Sequence, residues 1–135
     1  MEWIVSRTLT DADSGAEVVV GIARPQQVND GEWSCAFRVD ASPEGIRQAY
    51  GVDEFQALLV AIEGLHWALA RSSRRLTWIG EPGDTGIPRF TPVSFGLAFR
   101  QRVERMLDEE IERHAEEGRQ RSSEGGRQRS GDDTL

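Results

Sequence analysis

The sequence contains a single cysteine, Cys35, among its 135 residues. One thiol cannot form an internal disulfide, so we expect the chain to fold in a reducing compartment on noncovalent packing alone. Alternating polarity places Cys35 on the inward face of a strand, and no basic residue or histidine adjoins it in sequence. Because a buried thiol without an activating neighbour stays protonated, this pattern predicts an unreactive core cysteine.

Long hydrophobic runs are also absent. No stretch approaches the roughly 20 apolar residues that a membrane-spanning helix needs, and the run at residues 58–62 belongs to an amphipathic pattern. The first ten residues lack the basic start and small-residue cleavage site of a signal peptide. These absences predict a cytoplasmic protein with no membrane partner.

Lysine is missing altogether: all sixteen basic residues are arginine, against 23 acidic ones, and the formal net charge is −7. An arginine-only composition indicates either bidentate recognition of anions or a GC-rich coding bias, and the coding bias is favoured. The acidic balance argues against nucleic-acid binding, which needs clustered positive charge. It favours a basic protein partner approached by electrostatic steering.

Catalytic and cofactor-binding motifs are lacking as well. The sequence has no phosphate-binding loop, dinucleotide fingerprint, nucleophile elbow or Cys-x-x-Cys pair. Glu63 and His66 have the Glu-x-x-His spacing of di-iron bundles, but such a site needs a second copy of the motif and two more glutamates. His114 lies among glutamates on a charged face. We therefore expect no enzyme activity, no cofactor and no metal.

The strongest local pattern spans residues 51–71, GVDEFQALLVAIEGLHWALAR. Asp53 and Gln56 form a capping box at its start, and Arg71 follows at its end, where the helix dipole favours cations. The periodicity predicts a central amphipathic helix. The residues expected on its inner face are Phe55, Leu58, Leu59, Ile62, Leu65, His66 and Leu69.

Strand patterns surround this helix. Residues 2–9, 16–23 and 33–39 combine β-branched or aromatic residues with turn signals between them. A fourth short strand is predicted over residues 46–50, and a fifth strand, at the edge of the sheet, is expected over residues 76–79. The short connections predict an α+β fold: a four- to five-stranded antiparallel meander with the central helix across one face.

Residues 80–92 contain three prolines and three glycines, which no regular element tolerates. A loop this long in a small domain is often functional. We single out Trp78, Asp84, Arg89 and Phe90 as a candidate binding surface, with opposite charges beside two aromatic rings. The structural alternative, in which Asp84 anchors a turn and Arg89 pairs with a surface acid, is favoured over this one.

Helical periodicity returns at residues 94–117. Its apolar stripe narrows towards the C-terminal end and consists of Phe95, Phe99, Val103, Met106, Leu107 and Ile111. The second half is almost entirely charged and either projects into solvent or pairs with a second copy.

Residues 118–135 repeat GRQRS and have no large apolar residue before Leu135, which predicts a disordered tail. The expected boundaries are therefore 1–93 for the compact domain, 94–117 for the helix and 118–135 for the tail.

Three stretches carry a family resemblance: WSCAF at residues 33–37, GVDEFQAL at 51–58 and LTWIGEPGDTGIPRF at 76–90. Together they resemble a family of small bacterial domains of unknown function, found mostly as short stand-alone proteins. The resemblance covers about residues 3–91. It implies a bacterial, cytoplasmic setting and supplies no activity and no catalytic residue.

The leading functional hypothesis is a non-enzymatic protein-binding module with a basic partner, for example an immunity or antitoxin-like inhibitor. The alternative is a small-molecule or nucleotide-binding domain that uses the 80–92 loop as a lid. A third option is a homodimer formed through the C-terminal helix.

Overall fold

A computed structural model describes residues 1–132, and within them it contains six strands, two α-helices and two short 3-10 turns. The chain divides into two compact units, Met1–Phe90 and the segment from Thr91 onward. The elements of the first unit are β1 (Trp3–Asp11), β2 (Glu17–Ala23), β3 (Gln26–Asn29), β4 (Glu32–Arg38), β5 (Ile46–Gly51), α1 (Glu54–Ala70) and β6 (Leu76–Thr77). The second unit contains α2 (Gly96–Asp132).

The first unit is built on an antiparallel sheet. β1 and β2 form a hairpin, and β6 pairs with the last two residues of β1. β4 has β5 along one edge and both β2 and β3 along the other. β2 and β3 are therefore two halves of one bent strand, interrupted at Pro25, which has no N–H to donate to a ladder. The spatial order confirms the predicted antiparallel meander of an α+β fold.

The strand β3 has no counterpart in the sequence prediction, which treats its residues as loop. All four of its side chains are exposed. It therefore lacks the alternation of apolar and polar residues from which a half-buried strand is recognised.

The core lies between α1 and the sheet face formed by β2, β4 and β5. Its buried members are Leu9, Val18, Val20, Ile22, Cys35, Phe37, Ala49, Ala57, Ala61, Leu65, Leu69 and Leu76. Cys35 is fully buried, as predicted, and its Sγ lies 3.3 Å from the carbonyl oxygen of Ala23. Burial raises the pKa of this thiol.

The start of α1 follows the predicted capping box. Asp53 Oδ1 accepts a hydrogen bond from Gln56 N at 2.7 Å, and Gln56 Oε1 accepts one from Val52 N at 2.7 Å. The reciprocal bond thus reaches one residue further back than in the ideal motif. The first bond satisfies an amide group that the first helical turn leaves without a partner, and the second satisfies the amide of the residue before the cap.

The predicted inner face of α1 is partly wrong. The side that packs on the sheet consists of Ala57, Ala61, Leu65 and Leu69, whereas Phe55 is 69% exposed. The observed face is rotated by about 80° from the predicted one, at 3.6 residues per turn. Two alanines at the contact let the helix approach the sheet closely, and a prediction that weights large side chains overlooks them.

The second unit contains a helix that is longer than predicted. α2 is described as a helix as far as Asp132, whereas the sequence predicts a helix to residue 117 and a disordered tail over 118–135. Arg, Gln and Glu in residues 119–124 are good helix formers, and extending an existing helix avoids the cost of nucleation. Low apolar content therefore does not mark the helix end. Residues 133–135 of the predicted tail lie outside the described residues.

Neither α1 nor α2, within residues 1–132, combines the length and the apolar composition that crossing a bilayer requires.

Candidate functional site

The loop at residues 78–90 is held by its own hydrogen bonds. Trp78 N donates to Asp84 O at 3.0 Å, and Gly86 N donates to Asp84 Oδ1 at 3.0 Å. His66 Nδ1 lies 2.9 Å from Ile87 O, and because a carbonyl only accepts, this bond requires a proton on Nδ1. Asp84 thus anchors a turn, and His66 ties the end of the loop to α1.

A cation–π stack fixes the other side of this loop. The Arg7 guanidinium lies 3.6 Å from the centre of the Trp78 ring, and Arg7 Nη1 donates to Thr85 O at 3.2 Å. Gly86 packs against both groups with a φ of +68°. Opening the loop as a lid would break all of these contacts.

The candidate surface predicted from sequence falls into two parts. Trp78 and Asp84 belong to the loop cluster, whereas the Arg89 guanidinium lies over a different ring, Trp67, at 4.9 Å. Trp67 is itself packed edge-on against His66, with ring centres 5.2 Å apart. Phe90 is partly buried at the end of the first unit.

An apolar surface that the sequence interpretation missed lies on the outward side of α1. The helix has two charged residues among its 17, Glu54 and Glu63. Phe55 and Val60, whose side chains point about 140° apart around the helix, are 69% and 40% exposed. A helix that is apolar on all sides is normally covered on all sides.

This outward side continues into an apolar groove between α1, β1 and the end of the loop. The groove has a volume of about 350 Å³, and Ile4 and Val5 at its rim are 42% and 58% exposed. We call the combined patch the α1 apolar surface. Its members are Phe55, Leu58 and Ile62 of α1 with Ile4, Val5, Ile87 and Pro88. Contiguous exposed apolar area of this kind marks interaction sites.

A cleft of about 400 Å³ lies at the C-terminal end of α1. It is lined by Arg47, Arg71 and Arg74, together with Asp40 and an apolar floor that includes Leu69. Within the part of the chain that the structure describes, none of these arginines is in a salt bridge. We call it the arginine cleft.

The one acid in the arginine cleft is held in its charged form. Hydrogen bonds from the hydroxyl and the backbone N–H of Ser42 lower the pKa of Asp40, and the charges of Arg74 and Arg47 add to the effect. The cleft therefore combines three guanidinium groups with one carboxylate. This is a local positive charge on an acidic protein, and planar guanidinium groups suit carboxylate and phosphate groups.

Among residues 1–125, whose side chains the structure describes, no three His, Cys, Asp or Glu side chains come together as a metal site. His66, which the sequence places beside Glu63, uses its Nδ1 for the loop carbonyl described above.

These features define a small α+β domain with a helix across an antiparallel sheet and two candidate binding surfaces. The chain belongs to the family described as a domain of unknown function, DUF6968, whose sequence profile matches residues 5–89. This match confirms the resemblance seen in the three sequence stretches, and α2 lies beyond the matched range. No curated protein and no solved structure matches the chain.

Proposed function

We propose that this protein is a non-enzymatic protein-binding module and that the α1 apolar surface is its docking site. The observation that carries the proposal is the exposed apolar side of α1, with Phe55 and Val5 both more than half accessible beside an apolar groove. Water contact with such area is unfavourable, and a partner that covers it gains the corresponding free energy, about 25 cal/mol per Å².

Charge around this surface determines the chemistry of the partner. Asp53, Glu54 and Glu63 lie at the start and on the outward side of α1, whereas Arg7 and Arg89 stack on tryptophan rings. The first unit carries 13 acidic residues against eight arginines. A partner with an apolar centre and a basic rim complements this arrangement. An immunity or antitoxin-like inhibitor of a basic effector is one concrete version.

Position-specific photocrosslinking tests the proposal. Benzoylphenylalanine replaces Phe55 in one variant and Val28 in a matched control. Val28 is 51% exposed and groups with Ser34 and Tyr50, on the sheet face opposite α1. In lysate of the source cells, we expect position 55 to crosslink to one basic polypeptide and position 28 to give no such product.

Competition makes the crosslinking quantitative. Excess wild-type chain is expected to abolish the product at position 55, whereas excess Phe55→Asp chain is expected to leave it. The same products from positions 55 and 28, or a product that the Phe55→Asp chain also competes away, would contradict the proposed docking site.

The arginine cleft favours a second candidate function, the binding of a small anion with a phosphate or carboxylate group. This keeps the ligand-binding alternative but moves it from the 80–92 loop to the end of α1. Inorganic phosphate and a nucleoside diphosphate are expected to raise the melting temperature of the wild type, because a ligand that binds only the folded state stabilises it. Arg71→Ala is expected to abolish that rise, whereas the control Arg75→Ala, whose guanidinium pairs with Asp13 at 2.7 Å, retains it. Equal rises in both variants would contradict a specific cleft site.

A further inference from the structure

The apolar side chains of α2 and of the turn that precedes it are exposed or, at Phe99 and Val103, half-buried. Phe95, Met106, Leu107 and Ile111 are between 58% and 66% accessible. Four apolar side chains of α2 fall within an arc of roughly 100° around the helix, at 100° per residue. They form one stripe along about two to three turns: Phe99, Val103, Met106 and Leu107. A stripe of this width is the usual seam for packing against another helix.

Charges along α2 are segregated into blocks. Residues 96–107 contain three arginines and one glutamate, whereas residues 108–117 contain six acidic residues and one arginine. In a parallel pair of α2 helices, the two acidic blocks would lie side by side and repel each other. In an antiparallel pair centred between Val103 and Met106, the start of each acidic block lies beside the basic block of the other helix.

Arg102 and Glu109 define the register of such a pair. They are seven residues apart, so they lie on the same side of the stripe, at successive g positions of a heptad. Within residues 1–125 neither is in a salt bridge, although neighbouring charges are, such as Arg113 with Glu110 at 2.6 Å. The Arg102 guanidinium lies 6.0 Å from the Phe99 ring.

We propose that two copies of this chain associate through α2 in antiparallel orientation. With Val103 of one copy packed against Met106 of the other, Arg102 of each copy lies opposite Glu109 of its partner. The two-fold symmetry forms this ion pair twice. The dimer also carries two copies of the first unit, so binding to a multivalent partner gains from avidity.

Charge-swap variants of the full chain test the pairing by sedimentation equilibrium. Arg102→Glu and Glu109→Arg are each expected to weaken the dimer by about tenfold, because each places like charges together twice. The double variant is expected to return to within about twofold of the wild-type affinity. An equimolar mixture of the two single variants is expected to form the heterodimer in preference to either homodimer.

Arg105→Glu is the matched control, because it makes the same charge change in the same helix on the side away from the stripe. It is expected to leave the affinity within about twofold. The melting temperature of each variant shows that the fold is intact. A monomeric wild type, or a double variant as weak as the single variants, would overturn the proposal.

Orientation is measured separately with a spin label at Gly118→Cys. Cys35 is fully buried and stays unlabelled. At 1.5 Å per residue, the antiparallel register places the two labels about 40 Å apart along the helix axes, whereas a parallel pair places them within about 20 Å. A measured distance in the shorter range would overturn the antiparallel arrangement.

Discussion

Leu65→Ala is expected to lower the free energy of unfolding by about 2–5 kcal/mol, whereas Phe55→Ala, on the same helix, is expected to change it by less than about 0.5 kcal/mol. Leu65 is 2% exposed at the centre of the contact between α1 and the sheet, so its truncation leaves a cavity. Phe55 is 69% exposed, and removing its ring costs little packing within the chain.

Urea unfolding of the two variants beside the wild type measures this difference. The shift in midpoint reports the stability change when the slope with denaturant stays constant. If Phe55→Ala proved as costly as Leu65→Ala, the inner face of α1 would be the one that the sequence predicts. A neutral Phe55→Ala chain that also fails to compete for the crosslinked product at position 55 would separate binding from stability at that residue.

The sequence predicts the wrong buried face for α1, and the physical reason for this error bears on function. A capping box is local, so Asp53 and Gln56 could be assigned from sequence alone. The buried face is set by what the helix packs on, and a helix that is apolar on both sides contains no unique answer. Phe55 is prominent in the sequence because it is large, and it is exposed in the structure because its side of the helix faces away from the sheet. Departures of this kind from a consistent pattern are expected at functional surfaces.

Prediction of the strands is limited by the same effect, but fewer residues are placed on the wrong face. β1, β2 and β4 could be predicted because large residues alternate along them or run continuously. In β5 the large residues Ile46 and Tyr50 share the exposed face, and the residue that packs in the core is Ala49. As in α1, the residue at the closest contact with the core is small. A prediction that gives more weight to large side chains therefore selects the opposite face of the strand as the buried one.

Neither candidate surface could be assembled from sequence, because each joins distant segments. The arginine cleft brings Arg47 at the start of β5 together with Arg71 and Arg74 after α1. In the sequence, the helix dipole alone is enough to explain why Arg71 and Arg74 follow α1, so nothing indicates a binding role for them. The α1 apolar surface combines Ile4 of β1 with Leu58 of α1, a pairing that only the tertiary fold creates. By contrast, the role of Asp84 as a turn anchor was already the favoured alternative, since it depends only on residues within its own loop.

Gly86→Ala is expected to lower the free energy of unfolding by about 2–3 kcal/mol and to detach the loop from Arg7. Its φ of +68° strains any residue with a Cβ by about 1–2 kcal/mol. A Cβ would also lie 2.7 Å from the Trp78 ring and 2.9 Å from Arg7 Nη1. Because the ring is stacked under the guanidinium, relieving that clash disrupts the cation–π contact, which contributes about 0.5–1 kcal/mol.

Two further glycines of the same loop separate strain from steric conflict. Gly83 has a φ of +91° and open space around it, so Gly83→Ala carries the backbone strain alone. Gly80 lacks a positive φ, and its added Cβ would lie 3.5 Å from Asp84 Oδ2, an ordinary contact. Urea unfolding together with near-ultraviolet circular dichroism of the tryptophans is expected to rank the losses Gly86→Ala, then Gly83→Ala, then Gly80→Ala. If Gly86→Ala cost no more than Gly83→Ala, Trp78 would move aside without penalty. The 80–92 loop would then regain the lid role that its composition suggests.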